Sequence, residues 1–306
     1  MARRALIIIT LAACAGVAGW TLSAPRPVAL ADAAGLEGAG DAQRGKVFFD
    51  AGGCASCHAT PGQDDRLQLG GGLELKSPFG SFIAPNISSH REDGIGAWKV
   101  ADLVNAMQAG VSPSGQHYYP AFPYTTYAKA RPADIADLMA YLRSLPAVAG
   151  KAQDHKLGFP FNVRRGLGLW KLVNFKQESL PHDPAQGADW SRGRYLTEAF
   201  AHCAECHSTR DALGAIDPTY RYAGGVDMDG GGWVPNITQA AIADWSAKDI
   251  AWMLKSGDTP EGDVVGGSMK SVVKNMAQLP DADRDAIALY IKSLPARTSP
   301  PKPQKK

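Results

Sequence analysis

The chain has 306 residues, 45% hydrophobic and 20% charged, with 32 basic side chains against 30 acidic ones. That is enough apolar chain for one large or two ordinary domains, and it excludes a disordered or low-complexity protein. The formal charge of +2 leaves no basic footprint for nucleic acid.

Met1-Ala2-Arg3-Arg4 is a short basic start, followed by the uncharged run Ala5 to Leu22 and then by Pro25, Arg26 and Pro27, which stop any helix. As a helix the run reaches about 27 Å, close to the thickness of a hydrocarbon core. Residues 1–31 are expected to be a signal peptide, with the small-x-small pattern Ala29-Leu30-Ala31 for cleavage, or a retained membrane anchor with Arg3 and Arg4 left in the cytoplasm. Leu11-Ala12-Ala13-Cys14 offers a lipoprotein box as a third option. All three place the rest of the chain outside the cytoplasm.

Beyond this segment one unit is used twice. Arg44-Gly45 precedes Cys54-Ala55-Ser56-Cys57-His58 as Arg192-Gly193 precedes Cys203-Ala204-Glu205-Cys206-His207. Pro85-Asn86-Ile87 recurs as Pro235-Asn236-Ile237, Trp98 with Asp102 as Trp245 with Asp249, and Ser144-Leu145-Pro146 as Ser293-Leu294-Pro295. These repeats predict an all-α protein of two tandem domains, 38–147 and 188–296, joined by a linker over 148–187 and ending in a disordered basic tail, 297–306.

Helices are expected over Gln43 to Asp50, Ala97 to Ala109 and Pro132 to Leu145, and again over Ser191 to Ala201, Ser246 to Lys255 and Pro280 to Leu294. The Gly-rich stretches Leu69 to Ile83 and Ala223 to Trp233 read as loops that wrap something not made of protein. In the linker, Leu167 to Val173 reads as a strap on both domains, or as a basic amphipathic segment that uses Arg164, Arg165 and Lys171 against a membrane or partner.

Four of the five cysteines fall in the two Cys-x-x-Cys-His motifs. Two thiols three residues apart on one helical turn can add to the two vinyl groups of one haem, and the adjacent histidine then faces the iron. A zinc ribbon would need its two pairs much closer in sequence, and a thioredoxin-like dithiol would need a βαβ pattern that is missing. Two covalently bound haem c groups are therefore expected, on Cys54 and Cys57 and on Cys203 and Cys206, with His58 and His207 as axial ligands.

For the sixth ligand of the second haem the expectation is Met269, presented from a loop after Gly266-Gly267-Ser268, whereas Met253 and Met276 sit on helical patterns. In the first unit the matching position is Phe122, which cannot bind iron. His117 in the same loop, Met107, and a site with no strong protein ligand all remain open, with His90 a further nearby histidine and Met139 a core residue.

These motifs, together with Ser77-Pro78-Phe79-Gly80, Gly94-Ile95-Gly96-Ala97-Trp98, Gly110-Val111-Ser112-Pro113, Tyr119 to Tyr124 and Val264 to Met269, resemble the cytochrome c subunits of membrane-bound periplasmic alcohol, aldehyde and gluconate dehydrogenases. The resemblance implies class I cytochrome c-like domains on the periplasmic side of the bacterial inner membrane. It implies electrons taken from a partner dehydrogenase and passed to a quinone, an oxidase or a soluble cytochrome. Larger members of that family add a third haem domain, and they place methionine where this chain has Phe122. No nucleotide-binding or nucleophile motif is present, so no catalytic residue is assigned. The alternative is a di-haem peroxidase or sulfur-compound oxidoreductase, with an open first haem lined by His117, Tyr118, Tyr119 and Tyr124.

Overall fold

The computed structural model describes residues 2–30, 33–228 and 232–302. A long apolar helix, α1 (Ala2–Leu22), is followed by the single turn α2 (Ala33–Leu36). The first domain holds α3 (Ala42–Ala51), α4 (Cys54–His58), the strands β1 (Glu74–Ser77) and β2 (Gly80–Ile83), α5 (Val100–Val104) running into a π-helical turn at Asn105–Ala109, α6 (Tyr124–Tyr127) and α7 (Pro132–Ser144). The linker contributes β3 (Lys156–Leu157) and α8 (Gly166–Asn174). The second domain holds α9 (Ala188–Ala199), α10 (Cys203–Cys206), β4 (Gly225–Val226), β5 (Trp233–Val234), α11 (Ala247–Ser256), α12 (Met269–Met276) and α13 (Asp281–Lys292).

In each domain the first and last helices cross tightly, and the repeated Arg-Gly pair explains how. A Cβ on Gly45 would stand 2.0 Å from the carbonyl oxygen of Asp137, and one on Gly193 only 1.8 Å from that of Ala286. Only glycine lets the two backbones approach this closely. The preceding arginine clamps the crossing: Arg44 donates from Nε (2.7 Å) and Nη2 (2.8 Å) to Asp137, and Arg192 from Nε (2.8 Å) and Nη2 (3.1 Å) to Asp283. Behind each crossing lie fully buried side chains, Phe49, Ile135 and Met139 in one domain and Leu196, Ile250 and Ile287 in the other. Each contributes about 1.5–3 kcal/mol by leaving water.

Asp102 and Asp249 stand three residues into their helices and reach back in capping boxes, accepting from the backbone N–H of Lys99 (2.8 Å) and Ser246 (2.7 Å). Asn86 and Asn236 tie down the chain that leaves the last helix. Asn86 donates to the carbonyls of Val148 (2.8 Å) and Gly150 (2.9 Å), and Asn236 to the carbonyl of Arg297 (2.8 Å) and to Ser299 Oγ (3.1 Å). Arg297 to Ser299 is therefore held against the second domain, where a solvated tail is expected from 297. Residues 303–306 of that tail lie outside the described residues.

The all-α expectation needs correction: the described residues are mostly helical but include two small antiparallel sheets. Both arise inside the Gly-rich stretches. β1 and β2 form a hairpin, with Ser77 paired to Gly80, and β3 of the linker joins its edge. In the second domain, β4 pairs with β5. In the first hairpin Pro78 and Gly80 (φ 120°) turn the chain back on itself rather than leaving it as open loop.

Candidate functional site

The two cysteine motifs are built alike. Each begins from a residue in the left-handed region, Gly53 (φ 61°) in the first domain and His202 (φ 42°) in the second. For a histidine this conformation is strained. It is held by Nε2 of the His202 ring, which donates to the carbonyl of Gly52 in the other domain at 3.0 Å.

The following turn puts the two thiols of each pair on one helical face. Burial pushes Cys54 and Cys203 up to about 12 and also raises Cys57. Burial, with the charge of Glu205 next and Cys57 among the further causes, pushes Cys206 up to about 11. The thiols are thus held neutral, and among the described residues no group of three or more His, Cys, Asp or Glu is arranged to hold a metal ion. That chemistry fits covalent addition to an organic group better than a thiolate metal site.

His58 and His207 complete the fit. Nδ1 of His58 donates to the carbonyl of Pro85 at 2.8 Å, and Nδ1 of His207 to that of Pro235 at 2.8 Å. In each case Nε2 is left with its lone pair, the state an iron ligand needs, and the contact orients the ring. Burial lowers both histidine pKa values, which keeps the rings neutral. The backbone supports the same loop on the other side: the N–H of Gly71 donates to the carbonyl of His58 (2.9 Å), and that of Gly224 to His207 (2.9 Å).

Met269 is half-buried at the hydrophobic core, as the first residue of α12 rather than within a loop. The run 269, 272, 273, 276 already has helical spacing, and the helix starts earlier than Gly266-Gly267-Ser268 suggests. Phe122 packs between Tyr118 (5.7 Å between ring centroids) and Tyr127 (5.5 Å). His117 is buried, but its Nε2 donates to the carbonyl of Ser23 at 2.9 Å, leaving only Nδ1 without a partner. Met107 is buried within the π-helical turn, a feature that often marks functional sites. His90 is used locally, with Nδ1 accepting from the N–H of Asp93 at 3.1 Å.

Sequence reasoning did not foresee how the two sites meet. The middle residues of the motifs reach into the opposite domain. Ser56 Oγ accepts from Nδ2 of Asn275 on α12 at 2.7 Å, and Asn275 Oδ1 in turn accepts from Arg66 at 2.9 Å. Glu205 accepts from the hydroxyls of Thr125 (2.8 Å) and Thr126 (2.9 Å) on α6 and from Arg210 (2.6 Å). Ser56 therefore touches α12, the helix that begins at Met269, and Glu205 touches α6, the helix that follows Phe122. Phe48 and Phe200 stack beside them with centroids 4.5 Å apart. Glu198 forms a buried hub between the domains, with Oε2 on Lys129 (2.8 Å) and Arg221 (2.5 Å) and Oε1 on the hydroxyls of Tyr222 (2.6 Å) and Tyr290 (2.9 Å).

The cytochrome c family model matches residues 42–146 and again 191–295. A "Diheme cytochrome c-type" of Cereibacter sphaeroides is 47% identical over 94% of this chain and 97% of its own length. The "Fructose dehydrogenase cytochrome subunit" of Gluconobacter japonicus is 36% identical over 83% of this chain, and the "Alcohol dehydrogenase (quinone), cytochrome c subunit" of Gluconacetobacter polyoxogenes 33% over 83%. The chain spans 52% and 56% of those two subunits, about half their length. With two matched domains and two equivalent sites, the chain belongs to the cytochrome c family and carries two covalently bound haem c groups.

Proposed function

We propose that this chain is the di-haem electron-transfer subunit of a periplasmic dehydrogenase system, held at the inner membrane by α1. Cys54 and Cys57 with His58 hold one haem, and Cys203 and Cys206 with His207 and Met269 hold the other. The observation that carries this reading is the meeting of the two motifs, with Ser56 of the first bonded to Asn275 of α12 and Glu205 of the second bonded to Thr125 and Thr126 of α6. Haem supplies single-electron chemistry, so a two-electron substrate must be oxidised at another centre, which the dehydrogenase brings. The chain's own part is to fix the imidazole tautomers through Pro85 and Pro235 and to hold the two motifs in one register.

Cytochrome subunits of dehydrogenases among the relatives support the donor assignment. The acceptor is a quinone, an oxidase or a soluble cytochrome. Membranes from the host with and without this chain test the reading, with fructose, gluconate and ethanol offered in turn. Removing the chain is expected to abolish substrate-driven oxygen uptake while dye-linked dehydrogenase activity persists. Uptake that continues on every oxidised substrate would overturn it.

A further inference from the structure

The strap between the domains is inside out for a helix that faces water. Its cations point inward. Lys171 Nζ donates to the carbonyls of Ala109 (2.7 Å) and Gly110 (2.8 Å) and lies over the Tyr124 ring, and Arg164 donates to the carbonyl of His117 (3.1 Å) and covers Tyr119. The basic face suggested by the sequence is thus spent on the first domain. What α8 exposes instead is the apolar stripe Leu169, Leu172 and Val173, at helical spacing, and the turn before it exposes Phe159. Phe159 and Val173 are 84% and 77% exposed.

The stripe lies beside the end of α1. The span Arg3–Leu22 is long and apolar enough to cross a membrane, and none of it is buried within the protein. Directly after it, Ser23 is buried against α8: a Cβ on Gly168 would stand 2.2 Å from the Ser23 carbonyl oxygen. His117 donates to that same carbonyl, and Arg165 donates to Ser23 Oγ (3.0 Å) and to the carbonyl of Trp20 (2.7 Å), with its guanidinium over the Trp20 ring at 4.3 Å. A cation at the last carbonyls suits a helix C-terminus, and an exposed tryptophan there suits a membrane interface.

We infer that Phe159 and the Leu169–Leu172–Val173 stripe form a seat in the outer-leaflet interface of the bilayer that α1 crosses, so that the first domain lies directly on the membrane. The inference rests on the anchor reading above. Continuity selects lipid over a protein partner: the apolar span ends at Leu22 and the next residue, Ser23, already touches α8, so a stripe beside that contact has no room to stand far from the headgroups of a bilayer that α1 crosses.

The test uses the haem-loaded full chain in phosphatidylcholine–phosphatidylglycerol vesicles, with Cys14→Ala so that one introduced cysteine takes a nitroxide. Labels go at Val173→Cys, Phe159→Cys, Leu11→Cys within α1, and Trp252→Cys on the exposed face of α11 as the aqueous reference. Collisions with oxygen and with a water-soluble nickel chelate are read at each. The labels at 173 and 159 are expected to be several-fold less accessible to nickel than the label at 252, with oxygen access retained. If 11 is lipid-exposed while 173 and 159 match 252, the anchor stands and the seat is overturned. If 11 is also aqueous, the anchor reading itself falls. Shielding of 173 that appears only on adding a purified dehydrogenase would overturn lipid in favour of a protein interface.

Discussion

Nδ1 of His58 donates to the carbonyl oxygen of Pro85 at 2.8 Å, and the second domain repeats the contact between His207 and Pro235 at the same distance. The Pro-Asn-Ile repeat is thereby explained residue by residue. The proline carbonyl orients the imidazole, the asparagine amide binds the chain leaving the last helix, and the isoleucine packs on the core. One short segment thus couples the histidine to the helix crossing that shapes the domain.

The two proximal sites are alike, so the difference between the haems falls on the opposite side. Methionine sulfur raises a haem potential, and in the proposed assignment Met269 supplies it to the second haem while Phe122 occupies the matching position of the first repeat. Met269→Ala is expected to lower the potential of one haem and give it a high-spin ferric signal in electron paramagnetic resonance, leaving the other haem's signal unchanged. Phe122→Met is expected to raise the potential of the other haem alone. Redox titration of both variants checks this.

Gly45→Ala and Gly193→Ala should each loosen their own domain. The added methyl would meet backbone, at 2.0 Å and 1.8 Å, and no rotamer can relieve it. A cost of about 3 kcal/mol each, at the upper end for overpacking, is expected in chemical denaturation of the haem-loaded protein. Surface variants such as Lys248→Ala should change little.

Glu198 gives a pH dependence with a defined sign. Burial would push its carboxyl up, but Arg221, Lys129 and the Tyr222 hydroxyl outweigh burial and bring it down to about 2, from an ordinary 4.5. A depressed carboxylate stabilises the fold above its unfolded pKa and loses that contribution as the pH falls toward its folded value. The wild-type chain should therefore lose up to about 3 kcal/mol on acidification from pH 4.5 toward 2. Glu198→Gln should be less stable near pH 6 and show a flatter slope over that window, as measured by denaturant midpoints at stepped pH.

Much of this was legible in the sequence because it is local. The cysteine motifs and the closing helices depend on residues a few positions apart, whereas the Trp-Asp repeat was visible without the capping role of Asp102 and Asp249. The Arg-Gly repeat was visible without the helix crossing that it serves, and the partners of its arginines have diverged. Arg44 takes Asp137, because Asp134 is engaged by Arg131 and Tyr195 instead, whereas Arg192 takes Asp283 one turn earlier on its own last helix. The domain interface was not legible at all. Nothing near Ser56 or Glu205 marks Asn275 or Thr125 as a partner, since such contacts exist only once both domains are folded. The inward cations of the strap escaped for the same reason: helical spacing gives the faces of α8 but not which one meets the protein.

The central claim is that two haems, brought together by facing motifs, pass electrons within one chain. Pulse photoreduction of the oxidised, haem-loaded full chain tests it most directly, with less than one electron delivered per molecule and both haems followed optically. The account predicts fast entry at one haem and then a protein-concentration-independent redistribution between the two, at a rate well above enzyme turnover. Redistribution that scales with protein concentration, or a second haem that never takes up an electron, would contradict it.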